Sequence, residues 1–205
     1  MQEGVIQYQL DFSRQALPDG VSVDELNACR ARLFALKLIG QDASRYQGLG
    51  YGNISQRVEL PGKPDAFLIT GSQSGHLPVL ERRHYALVTC CDPMENRLQA
   101  NGETPPSSEA MTHAVIYQAL PAVHAVIHVH WPDLWQNAQE RRMLATARDI
   151  PYGTPQMAQA VRHCLLQADA LNTGMLAMLG HEDGIMIWGR TLVDAEAQIQ
   201  ITFND

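Results

Sequence analysis

The run Ala125-Val126-Ile127-His128-Val129-His130 decides how this chain is read. Alternate residues of a strand project to one face, so His128 and His130 share a side, and both imidazoles can reach one ion about 2.0–2.1 Å from their nitrogens. A His-x-His pair also arises by chance on solvated strands and loops. Here it closes an apolar stretch that includes Ala122, Val123, Ala125, Val126 and Ile127. Imidazoles at the end of a buried strand need partners for their polar nitrogens. The pattern points to a transition metal.

A three-ligand site needs another donor, and the other histidines are His76, His84, His113, His124, His163 and His181. His113 and His163 fall in helix-like segments, Glu109 to Leu120 and Pro155 to Ala168. His124 shares the parity of His128 but lies roughly 13 Å along the strand, too far for the same ion. His76 and His84 flank a turn at Pro78 and read as surface residues. His181 opens His181-Glu182-Asp183-Gly184, just before the glycine-bounded apolar strand Ile185-Met186-Ile187-Trp188. His181 and Asp183 are both candidate ligands at that strand start.

With 205 residues, 45% of them hydrophobic and 18% charged, the chain can bury one sizeable core and is short for two domains. The division expected is an N-terminal arm over 1–22 and one domain over 23–205. A net charge of −7 and the lack of a basic stripe argue against nucleic acid as partner and for a small-molecule substrate. No basic leader precedes an apolar segment, and no window approaches about 18 apolar residues, so a soluble cytoplasmic protein with no membrane partner is expected. Cys29, Cys90, Cys91 and Cys164 lack Cys-x-x-Cys spacing and read as small buried hydrophobes.

Val23 to Ile39 has helical periodicity, with Ser22 and Glu25 spaced as a capping box. Strands follow at Gln56–Leu60 and Ala66–Thr70, then a hairpin pairs Tyr85–Cys91 with Arg97–Ala100. The intervening loop Gly71-Ser72-Gln73-Ser74-Gly75 reads either as an anion cradle or as an ordinary turn. Ser107 or Ser108 caps the helix that starts at Glu109, whose positive end favours an anion. Further helices are predicted over Trp131–Ala147, Pro155–Ala168, Asn172–Leu179 and Leu192–Ile199, the last capped by Thr191. Hairpin-like strand pairs with helices outside them predict a mainly antiparallel sheet covered by helices.

Four motifs, Gly52-Asn53-Ile54-Ser55, Leu68-Ile69-Thr70 with Ser74-Gly75, Pro106-Ser107-Ser108-Glu109, and Val126-Ile127-His128-Val129-His130, resemble in order and spacing the class II aldolase and adducin family. The resemblance runs from about residue 23 to 200 and is of the fuculose-phosphate-aldolase type. It implies an α/β fold, a three-layer α/β/α sandwich with a mainly antiparallel central sheet. It also implies a homotetramer and a divalent, zinc-like ion on three histidines. By that pattern His128 and His130 are ligands, Asn53, Ser74, Gly75, Ser107 and Ser108 bind the substrate's phosphate, and Glu109 is the acid/base.

Three places depart from the family. Strict alignment sets Asp183 at the third ligand; a two-residue shift restores His181, which a zinc-type ion prefers for its nitrogen. The stretch Ile150-Pro151-Tyr152-Gly153-Thr154 is shorter than the segment that carries a tyrosine proton donor into a neighbouring subunit, leaving open where Tyr152 reaches. The 71–75 loop is two residues longer than in phosphate-binding relatives, which leaves an unphosphorylated substrate as an alternative. The activity implied is a metal-dependent lyase of aldolase type, cutting a small hydroxy-carbonyl compound of the sugar-phosphate kind through a stabilised enediolate. The rivals are a dehydratase or epimerase of the same family, and a non-catalytic adducin-like assembly domain.

Overall fold

A computed structural model describes residues 5–167 and 172–204. In chain order the elements are β1 (Gln9–Arg14), α1 (Asp24–Ala35), β2 (Gly40–Gln41), β3 (Gly50–Tyr51), β4 (Asn53–Arg57), β5 (Phe67–Thr70), β6 (Tyr85–Asp92), β7 (Arg97–Gly102), α2 (Ala110–Ala119), β8 (Ala125–His130), α3 (Pro132–Gln136), β9 (Leu144–Ala145), α4 (Pro155–Gln167), β10 (Gly174–Ala177), β11 (Gly184–Gly189) and α5 (Leu192–Asn204). Nine strands form one sheet in the order β1-β7-β6-β5-β4-β8-β11-β10-β9, and β2 pairs with β3 in a separate ribbon. Only the two edge pairings, β1 with β7 and β10 with β9, are parallel.

Period-two alternation builds the layers. In β8, Ile127 and Val129 join the apolar cluster that holds Leu26 and Leu33 of α1, Leu134 of α3 and Ile199 of α5. Val126 points the other way, into the cluster of Met111 and Val115 on α2 with Met157 and Val161 on α4. The result is a three-layer α/β/α sandwich, with α2 and α4 on one face and α1, α3 and α5 on the other. Every residue of β8 is buried, as a strand central to a sheet covered on both faces must be. Truncating a side chain such as Ile127, fully buried there, would cost about 2–5 kcal/mol.

Several local expectations change. The segment read as an N-terminal arm contributes the edge strand β1, and Tyr8 beside it is buried with its hydroxyl donating to the carbonyl of Ser107 at 2.9 Å. Helix α1 begins after Val23 without a side-chain cap; Ser22 Oγ accepts from the Asp24 amide, while Glu25 accepts from Gln56 instead. The predicted helix over 172–179 is β10, paired antiparallel with β11. Of the helix predicted over 131–147, only Pro132–Gln136 forms, because the chain turns through Arg142 at φ 54° to reach β9. Thr191 does cap α5, accepting from the Asp194 amide at 3.1 Å. The predicted end of α4 at Ala168 lies outside the described residues. Cys29 is buried, but Cys90 is exposed. Among the described residues no helix is long and apolar enough to cross a membrane.

Candidate metal centre

His128 and His130 follow Val126 on the α2 side of β8, at the end of the strand that meets the turn into β11. Antiparallel register sets Asn53 of β4 opposite His128, and Gly184 of β11 opposite His130. The turn before β11 is tight: the amide of His181 donates to Met178 and that of Gly184 to His181, both at 2.9 Å. His181 thereby folds back over the strand end. A Cβ on Gly184 would stand 3.0 Å from the His181 ring, so the missing side chain leaves the ring its place.

One nitrogen from each of His128, His130 and His181 lies within 4.8 Å of the others, and the three rings are 2% exposed or less. A tetrahedral ion bound at about 2.1 Å would hold such nitrogens about 3.4 Å apart, so a modest closure of the rings suffices. The donor chemistry fits an ion. His128 Nδ1 lies 3.3 Å from the carbonyl of Ile185, which leaves Nε2 as the ligand atom. That Nε2 and both ring nitrogens of His130 are buried without a hydrogen-bond partner. Burial, followed by the neighbouring histidines, holds the pKa of His128 and His130 well below the ordinary value, so both rings are in the neutral, ligating form.

Glu109 stands at the N-cap of α2, 1% exposed, with Oε1 3.7 Å from His181 Nδ1. Its helix is set by the Ser107-Ser108 turn: the amide of Glu109 donates to Ser107 Oγ at 3.3 Å, and that of Ala110 to the Ser107 carbonyl. Asn53, Ser74, Gly75, Ser107 and Ser108 come together with Gly50 around a small cleft of about 20 Å³. The second candidate ligand, Asp183, is not with the histidines. It sits at φ 63° and pairs with Arg45 at 2.7 Å while accepting from the Tyr46 hydroxyl at 2.6 Å.

Aromatic rings fence the histidines. Tyr46 meets His130 edge-on with centroids 4.4 Å apart, and Tyr51 lies 5.1 Å from the same ring. Tyr152 stacks on His181 within the same chain, at 4.1 Å and 18°. A cavity of about 460 Å³ opens on this side, lined by Tyr46, Gln47, Arg148, Tyr152, His181 and Glu182. Arg45, Tyr46 and Tyr51 escape sequence reading because no spacing rule links residues 45–51 to 128–130. The one local hint is the run of glycines at 48, 50 and 52, whose positive φ at Gly48 and Gly52 follows Tyr46 and Gln47 at 49° and 58°.

Comparison with known proteins bears on the family and the fold. Residues 41–202 match the family model "Class II Aldolase and Adducin N-terminal domain". A sequence comparison with curated proteins finds no significant match. Among solved structures, an L-fuculose 1-phosphate aldolase superposes with a TM-score of 0.66 at 20% identity, over 92% of this chain and 84% of its own. A sugar-phosphate aldolase from Thermotoga maritima gives 0.64 at 14% identity, over 87% and 89%. YgbL from Klebsiella pneumoniae, whose activity is named only as a choice among aldolase, epimerase and decarboxylase, gives 0.61 at 20%, over 87% and 83%. At these identities the structural likeness speaks for the fold, and the family match covers most of the sequence. The chain belongs to the class II aldolase and adducin family.

Proposed function

We propose that this protein is a divalent-metal-dependent lyase of the aldolase type, acting on a small hydroxy-carbonyl compound of the sugar-phosphate kind. The observation that carries this reading is the meeting of three buried imidazoles with one buried carboxylate at the end of β8. A zinc-type ion held by His128, His130 and His181 would supply Lewis-acid polarisation of adjacent hydroxyl and carbonyl oxygens and offset the negative charge that develops as a carbon–carbon bond is cut. Glu109 is placed beside that centre to take a proton from the substrate and return one at the reacting carbon. Its seat at a helix N-terminus fixes its direction. Tyr46 packs on His130 and Tyr152 on His181, beside the cavity through which a substrate would approach. Asn53, Ser74, Gly75, Ser107 and Ser108 grip the far end of the substrate, while its carbon chain lies towards the histidines.

The non-catalytic, adducin-like role is disfavoured because the chain keeps His128, His130 and Glu109 in one buried group. A homotetramer in the cytoplasm, working in carbohydrate metabolism, is proposed from the family resemblance; solution mass checks the assembly. The deciding experiment screens phosphorylated and free hydroxy-carbonyl compounds for cleavage, with and without added metal. Metal-dependent release of two carbonyl fragments supports the lyase, whereas dehydration or epimerisation without cleavage would replace it by a sister activity.

A further inference from the structure

Asp183 sits in the same turn as His181 and shares its parity, so an extended backbone running into β11 would send both side chains to one face. The chain breaks that alternation at Asp183 itself, which has φ 63°. The residue is 5% exposed, and its Oδ2 pairs with Arg45 Nη2 at 2.7 Å and accepts from the Tyr46 hydroxyl at 2.6 Å. Arg45 Nη2 also donates to the Tyr46 hydroxyl. A guanidinium, a phenol and a carboxylate thus close a triangle.

That triangle stands against the metal centre on two sides. The Tyr46 ring meets His130 edge-on at 4.4 Å, and the Asp183 carbonyl accepts from the amide of Trp131, the residue after His130, at 2.8 Å. The guanidinium carbon of Arg45 lies 4.7 Å from the centre of the Tyr46 ring. The partners meet at a conformational cost. Tyr46 and Gln47 hold φ of 49° and 58°, and with Asp183 they make three of the seven non-glycine residues with positive φ among the described residues. Left-handed backbone at a bulky residue persists only where surrounding contacts over-determine it, and such residues gather at functional sites. Here both sides of one contact are left-handed.

A buried carboxylate beside a divalent cation is drawn to it by charge, and it is a ligand of a different kind from imidazole. Imidazole suits zinc, copper and nickel; carboxylate oxygen suits magnesium and manganese. Arg45 and Tyr46 answer both the charge and the lone pairs of Asp183, which leaves an ion the three histidines. We infer that Arg45 and Tyr46 are positioning residues that hold Asp183 away from the metal, and so fix an all-nitrogen donor set that favours a zinc-type ion. The inference rests on the reading of His128, His130 and His181 as a metal centre. Both residues act through Asp183.

The test is cobalt(II) loading of the full-length protein, read by visible absorption, with zinc and manganese affinities measured on the same samples. The absorption of bound cobalt reports its donor atoms and coordination geometry. In Asp183→Asn the wild-type spectrum should persist, because that carboxylate is not a ligand. In Arg45→Met the freed carboxylate should join the ion, changing the spectrum and lowering the zinc-to-manganese affinity ratio about tenfold. Adding Asp183→Asn to Arg45→Met should restore both readouts, which a mere loss of packing would not allow. If Arg45→Met does not fold, Tyr46→Phe, with and without Asp183→Asn, carries the same comparison. A changed spectrum in Asp183→Asn alone, a wild-type spectrum and ratio in Arg45→Met, or a double variant that stays altered would overturn the inference. Wild type that takes up no cobalt overturns the metal centre, and the lyase and this inference with it. Wild type that binds cobalt while Arg45→Met behaves identically removes only the selection and leaves the lyase.

Discussion

Glu109 and His113 lie four residues apart on α2, both buried against the same face of the sheet, yet their surroundings are finished differently. At His113, Nδ1 and the Tyr117 hydroxyl both meet Ser55 Oγ of β4 at 2.7 Å, so three buried polar groups settle one another and only Nε2 is left over. One turn earlier, at Glu109, the carboxylate faces His181, and His128 and His130 keep three ring nitrogens without partners. Burial is the same in both regions. A closed polar network holds the helix on the sheet, and an open one is built to receive something. The contrast separates a structural histidine from the candidate ligands more sharply than burial or residue type does.

The largest effect should come from the open region. Glu109→Gln keeps the side chain's size and removes its proton transfer, so turnover should fall about 10²–10⁴-fold with metal content unchanged. Steady-state rates beside elemental analysis check it, and full activity would strip Glu109 of its role. Removing the ion should be felt next. A ligand that binds only the folded state, present at 100 times its dissociation constant, stabilises by about 2.7 kcal/mol, so chelation should lower the melting temperature by about 5–10 °C and re-addition should restore it. A scan that chelator leaves unchanged would argue that the histidines hold nothing.

The closed region should answer to pH. Burial pushes the His113 pKa down to about 3, below the value near 6.5 of the unfolded chain. A group held neutral in this way contributes fully above the unfolded value and loses that contribution as pH falls from about 6.5 towards 3. At pH 5 the loss is on the order of 2 kcal/mol. Denaturant midpoints of wild type and His113→Gln should therefore converge on acidification, and parallel curves would contradict the buried neutral ring. The smallest effect is expected from Tyr117→Phe. It removes one of the two bonds to Ser55 and should cost about 1 kcal/mol while leaving turnover within a few-fold. A collapse of activity in that variant would show that the two regions work as one.

What the sequence disclosed follows the same division. His128 and His130 are legible because a strand's two-residue period turns spacing directly into geometry, and Glu109 because a Ser-Ser turn announces a helix start. Between His181 and Asp183 the sequence favours His181 only through the preference of a zinc-type ion for nitrogen, and the side chain of Asp183 is engaged by Arg45 and Tyr46. The burial of Arg30 on α1 left no trace, since an arginine on an amphipathic helix reads as a solvated face until the 71–78 loop is seen wrapped over it. Strand β10 was misread because Met175-Leu176-Ala177 is too short for periodicity to separate strand from helix; pairing with β11 decides it. Strand β1 depends on β7 across nearly ninety residues, which no local pattern encodes.

The most direct test of the central claim is the metal content of gently purified protein, by elemental analysis, for the wild type and for His128→Ala. The account predicts close to one divalent ion per wild-type chain and a loss of that ion in the variant. A wild type that stays metal-free after reloading, or a variant that binds as the wild type does, would contradict it.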